Sequence, residues 1–155
     1  WMRRTLISAD EVVVVARRDH PLARGDGLDI RALASCPWVM PRRSTPLRAI
    51  LEAAFAGHPP ADVIETSSVI TLREILRQGD HLGGLSRMQA EIEADALAIL
   101  PLRLPHAMRP IGITTRAGWE PTRAQSAFLD LLRDTAARLV QAGLHPSAPA
   151  KTAPS

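Results

Sequence analysis

The sequence predicts an α/β domain built on a largely parallel sheet, and three observations carry that expectation. Glu11–Ala16 (EVVVVA) is an unbroken, mostly β-branched run, which marks a strand covered on both faces. Strand-like and helix-like segments alternate through most of the chain. Two of the helix-like segments open on hydroxyl residues directly after a strand, in PRRSTP and ETSSV. At 155 residues the chain is long enough to bury one substantial core.

Each element follows from local chemistry. Asp19-His20-Pro21-Leu22 breaks the first strand, Gly25–Leu28 turns, and Asp29–Ala34 forms a short helical piece. Trp38-Val39-Met40 is a short strand ended by Pro41. In the next segment Leu47, Ile50, Leu51, Ala54 and Phe55 recur at helical spacing and form one apolar stripe. Thr45 is its N-cap, Pro46 suits its first position, and Gly57 with Pro59 and Pro60 ends it. Asp62–Thr66 is a strand. Ser67 and Ser68 open a second helix with Val69, Leu72, Ile75 and Leu76 inward and Gly79 at its end; a capping box from Thr71 to Glu74 is an alternative start. His81–Ser86 is a strand holding Gly83 and Gly84, a pair that marks close backbone packing, a bulge or a hinge. Met88–Ala94 is helical, Ala96–Leu104 extended, and Ile111–Thr115 a further strand. Pro121 begins the last helix, with Phe128, Leu131, Leu132 and Leu139 on its apolar face. Residues 145–155 form a disordered Pro/Ala/Ser tail, leaving 1–144 as the domain.

Composition narrows the function. Hydrophobic residues at 46% and charged residues at 23% describe an ordinary globular protein. No apolar run approaches the ~20 residues of a membrane helix. Arg3 and Arg4 are not followed by an apolar signal segment, and Cys36 stands alone, so a reducing, cytoplasmic location is expected. The pI of 10.3 is not a nucleic-acid signal. Net charge is only +3, Lys151 is the sole lysine and tyrosine is absent, so little titrates between neutrality and the arginine range. Trp1, Trp38, Phe55, Trp119 and Phe128 are too dispersed to stack bases.

No catalytic or metal motif stands out. Gly84-Leu85-Ser86-Arg87-Met88 misses a nucleophile elbow because methionine replaces its second glycine, so Ser86 is structural. The histidines at 20, 58, 81, 106 and 145 lack metal-binding spacing, and no cofactor loop is present. Binding is the better reading. Ser44 and Thr45 precede a helix whose first N–H groups lack partners, and its positive dipole end favours a carboxylate, phosphate or polyol. Arg42 and Arg43 can add bidentate contacts. Ser67 and Ser68 repeat the arrangement. Plain capping remains the alternative role for Thr45 and Ser68.

The ordered segments EVVVVARRDHPLA, PWVMPRRSTPLR, VIETSSVITLREILRQGDHLGGLSR and ITTRAGWEPTRAQSAFLDLLR resemble the effector-binding domain of LysR-type transcriptional regulators over Leu6–Leu139. Ser86 and Arg87 stand where that family usually has a small apolar residue and proline. The resemblance implies an α/β, type 2 periplasmic-binding-protein-like fold, comprising mostly the second lobe plus the C-terminal part of the first. Glu11–Leu104 would form most of the second lobe, Ile111–Thr115 would cross back, and the final helix would pack on the first. A small molecule would sit in the interlobe cleft, against Arg43, Ser44, Thr45, Ser67, Ser68 and Val69. The expected effector is a carboxylate, sugar or sugar acid, or aromatic acid. The family's helix-turn-helix and linker helix are not in this sequence, which begins at Trp1. The chain is therefore expected to be a partial effector-binding domain from a bacterial regulator, homo-oligomeric when intact and touching DNA only through the missing part. No cofactor, metal or membrane partner is implied. The alternative is a free-standing solute-binding protein without DNA-binding activity.

Overall fold

The computed structural model describes residues 1–143; the tail expected over 145–155 lies outside them. The described chain divides into two compact units, one from Val12–Ala107 and one joining Trp1–Glu11 to the described residues that begin at Met108. The first spans nearly the stretch that the resemblance assigned to a second lobe.

In the Val12–Ala107 unit the sheet order is β3-β2-β4-β1-β5. Here β1 is Met2–Arg17, β2 Trp38–Met40, β3 Val63–Glu65, β4 Leu82–Ser86 and β5 Leu97–Ile99. β2 is parallel to β3 and β4, but β1 is antiparallel to both β4 and β5. The sheet is therefore mixed, not largely parallel. The valine run signals only that both faces are covered, and this holds in either strand direction. Val12, Val14 and Ala16 pack with Trp38, Met40, Leu51 and Phe55, whereas Val13 and Val15 pack with Val39, Leu72, Leu76 and Leu85. The two-residue period of a strand thus splits one apolar run between two cores. Trp38 meets Phe55 edge-on at 5.1 Å, and its indole N–H donates to Leu33 O at 2.8 Å.

Helix α1 (Pro46–Ala54) covers the first core, and α2 (Val69–Gln78) with α3 (Arg87–Ile92) covers the second. The glycine pair of β4 sets how closely they approach. A methyl at Gly84 would lie 2.5 Å from Leu51 Cδ1 of α1, and one at Gly83 would lie 3.2 Å from Leu72 Cδ1 of α2. Of the readings open for this pair, close packing is the one observed. The turns after β1 are 3₁₀ segments, Pro21–Arg24 and Ala32–Ser35, the second starting three residues later than expected. Of the extended stretch expected at Ala96–Leu104, only β5 pairs.

In the other unit, β1 up to Glu11 runs antiparallel to β6 (Met108–Arg116), with a register shift between Leu6 and Ser8. At that irregularity Gly112 lies against Thr5 O, where a Cβ would come within 2.7 Å. Asp10, with a side chain 6% exposed, pairs with Arg109 at 2.7 Å. α4 (Arg123–Gln141) begins at a complete capping box of Thr122 and Gln125 but buries no residue. Its expected face is split: Leu132 and Leu139 are half-buried, whereas Phe128 and Leu131 are each 59% exposed. A two-strand ladder offers too little surface to cover the whole apolar stripe. No helix among the described residues is long and apolar enough to cross a membrane.

Candidate functional site

Parallel pairing puts the carboxyl ends of β2, β3 and β4 on one edge of the sheet, and each is followed by a helix N-terminus. Such an edge is where α/β sheets present ligand-binding loops. Thr66 N donates to Met40 O at 3.0 Å and ties the end of β3 to the end of β2. The segments PRRSTP and ETSSV are thereby carried on neighbouring strands.

The hydroxyls divide into two kinds. Thr45 Oγ1 accepts from Arg48 N at 3.2 Å and donates to Arg42 O at 2.8 Å. Ser68 Oγ accepts from Thr71 N at 3.2 Å, which places the start of α2 at Ser68 and not at the Thr71 box. Both are helix caps. Ser44 and Ser67 are exposed and their hydroxyls make no hydrogen bond among the described residues. Val69 is half-buried beside the second core. Ser86 caps α3, accepting from Gln89 N at 3.3 Å and donating to Gln89 Oε1 at 3.2 Å. A serine so engaged fits its reading as structural.

The arginines divide as well. Arg43 leans toward Glu52 at 3.8 Å, 80% exposed, and lines a cavity beside α1. Arg42, left out of the expected contact set, is exposed and has no ion pair among the described residues. Arg48 was missed altogether. Its side chain is 4% exposed, with Nε donating to Glu52 at 2.8 Å and Nη1 to Pro41 O at 3.0 Å. The i,i+4 spacing of Arg48 and Glu52 was a legible signal for that pair, but nothing local marks the arginine as buried.

These features suit a site that holds an oxygen-rich small molecule. Two N-capped helices present their positive ends and, among the described residues, two hydroxyls are uncommitted and one guanidinium is unpaired. No group of histidine, cysteine and acidic side chains suited to a metal occurs among the described residues.

Comparison with known proteins identifies the family. The LysR substrate binding domain model matches residues 2–137. The chain is 34% identical over 129 residues to the HTH-type transcriptional regulator GalR of Pseudomonas putida, covering 80% of this chain and 32% of that protein. It thus spans about a third of that relative's length. Among solved structures, the CcmR regulatory domain of Synechocystis in complex with 2-PG superposes with a TM-score of 0.72 at 24% identity, covering 87% of this chain and 67% of that one. The effector-binding domain of QuiR in complex with shikimate gives 0.71 at 17% identity, covering 88% and 66%. The fold is that of these effector-binding domains, and the chain belongs to the LysR substrate-binding domain family.

Proposed function

We propose that this chain is the effector-sensing part of a LysR-type bacterial transcriptional regulator. A small molecule is held against Ser44, Thr45, Ser67, Ser68 and Val69, with Arg43 or its neighbour Arg42 supplying the cation. The observation that carries this reading is the pair of capped helix N-termini on adjacent parallel strands, with the Ser44 and Ser67 hydroxyls uncommitted. A carboxylate-bearing, oxygen-rich effector suits donors of this kind. The relative solved with shikimate, itself a hydroxylated carboxylate, supports that class. Binding shifts a conformational equilibrium by its differential affinity for the two states. In an intact homo-oligomer it thereby repositions DNA-binding domains carried outside this sequence. The site is cytoplasmic and non-catalytic in this reading.

A thermal melt of the 155-residue chain with sugars, sugar acids and aromatic carboxylates tests the proposal. A ligand at a hundred times its Kd stabilises the folded state by about 2.7 kcal/mol. One compound is expected to raise Tm, and Ser44→Ala with Ser67→Ala should remove that rise without moving the unliganded Tm. An equal rise in the double variant refutes the assigned residues.

A further inference from the structure

A cavity of about 530 Å³ lies between α1, the loop that follows it and β3. That volume falls within the range of small-molecule pockets. Neither Ser44, Thr45, Ser67, Ser68 nor Val69 lines it; of the residues discussed above as effector contacts, only Arg43 does. Its walls are stiff. Pro59 and Pro60 form one side, and the turn leading to them holds Ala56 and Gly57 at φ of 51° and 85°. Val63 and Met40 supply apolar surface.

Four charged side chains converge on this space: Arg43, Arg48, Glu52 and Glu65. Arg48 is the informative one. Its Nε serves Glu52 and its Nη1 serves Pro41 O, with Glu65 at 3.6 Å. A guanidinium has five N–H donors, and Nη2 makes no hydrogen bond among the described residues. Nor is Nη2 sealed in: the buried side-chain nitrogens without a partner among the described residues are His81 Nδ1 and Arg109 Nε. An almost wholly buried side chain thus lines the cavity with one donor group unspent. Arg43 is held only loosely by Glu52 at 3.8 Å and adds a second donor.

The charges select the ligand. Two guanidinium groups against two carboxylates give a lining with no net charge, so a bare anion meets Glu52 and Glu65 and a bare cation meets Arg43 and Arg48. A ligand carrying both charges satisfies both pairs. No aromatic ring lines the cavity on which a sugar face could lie. The geometry points to a second ligand site here for a small zwitterion with an apolar side chain, of the α-amino-acid class. Its carboxylate meets Arg48 Nη2 and Arg43, its ammonium meets Glu65, and its side chain lies on Val63 and the prolines.

The test is titration of the full 155-residue chain with L-leucine, L-isoleucine, L-methionine and L-phenylalanine, read by calorimetry and by amide chemical shifts. Arg48 is too buried to replace without risk to folding, so Glu65→Gln is the chosen variant; its side chain is 43% exposed. Saturable binding is expected for at least one amino acid. The same compound without its ammonium or without its carboxylate (4-methylpentanoate and 3-methylbutylamine, for leucine) should bind at least roughly tenfold more weakly, as loss of a charge-assisted contact implies. Glu65→Gln should weaken binding by a similar factor, and Ser44→Ala should leave it unchanged. Absence of saturation by all four at about 10 mM overturns the proposal. So does binding that survives Glu65→Gln and is lost in Ser44→Ala, an outcome that places the amino acid at the helix N-termini instead. The proposed effector function survives either result.

Discussion

Substituting Gly84 by alanine tests the packing that brings α1 onto the sheet. The added methyl would sit 2.5 Å from Leu51 Cδ1, 3.1 Å from Cδ2 and 3.2 Å from Cγ. Leu51 is fully buried, so its side chain has nowhere free to swing. Overpacking of this kind costs about 1–3 kcal/mol. Alanine also restricts the unfolded chain more than glycine does, which offsets about 0.4–1 kcal/mol. A net loss of about 1–2 kcal/mol follows. With a urea m-value of about 2 kcal/mol/M, the midpoint should fall by roughly 0.5–1 M. Gly83→Ala provides the internal comparison. Its nearest neighbours are the Leu72 and Leu76 methyls at 3.2 and 3.3 Å, so its cost should be smaller. Leu51→Ala alone should cost about 2–5 kcal/mol by leaving a cavity. Added to Gly84→Ala, it makes room for the new methyl, and the double variant should be more stable than the sum by about 1 kcal/mol. Strict additivity in that cycle, or a Gly84→Ala chain as stable as the parent, would refute the close approach of α1 to β4.

Other consequences can be measured alongside. Thr45→Ala should lower stability by ~1 kcal/mol for the lost cap, whereas Ser44→Ala should be neutral by chemical denaturation; equal costs would mean that the cap is misassigned. Arg48→Met should cost about 1–3 kcal/mol because Pro41 O loses its donor, and Glu52→Gln less than that because Glu52 is half exposed; the reverse order counts against a buried guanidinium. Asp10→Ala should cost about 3 kcal/mol by stranding Arg109, and Asp10→Leu with Arg109→Met should recover part of it; a harmless Asp10→Ala would remove the pair from the account. The Arg17 guanidinium holds the Asp19 carboxyl below its usual range, and Arg31 does the same for Asp29. A depressed folded-state value stabilises above the unfolded pKa of about 4 and is lost as pH falls through the lower value. Both pairs are exposed and salt-screened. Asp19→Asn with Asp29→Asn should therefore flatten the acid limb of a Tm-against-pH curve at low salt, and a limb parallel to the parent's would contradict the pairing.

What was legible in the sequence was local. Thr45 before Pro46, Ser68 before Val69 and the break at Pro41 are signals contained within a few residues, and the elements begin and end there. The continuous valine run announced burial on both faces for the same reason. The positions of the two hydroxyl-bearing helix starts could also be read, because a strand followed by a capped helix is a contiguous pattern. Strand direction could not. Whether β1 runs with or against β4 depends on the path of the chain between them, and the same apolar run serves either arrangement. The first nine residues of β1, Met2–Asp10, gave no sign of a strand, since the strand they pair with, β6, lies about a hundred residues away. Only the fold separated Thr45, a cap, from Ser44, uncommitted, and only the fold turned Arg43 toward Glu52 while burying Arg48. A hydrogen bond to a carbonyl such as Pro41 O exists only once the helix has docked on its strand. Propensity and capping act over one turn of chain; pairing, burial and charge partnership act through space, and tertiary packing alone decides them.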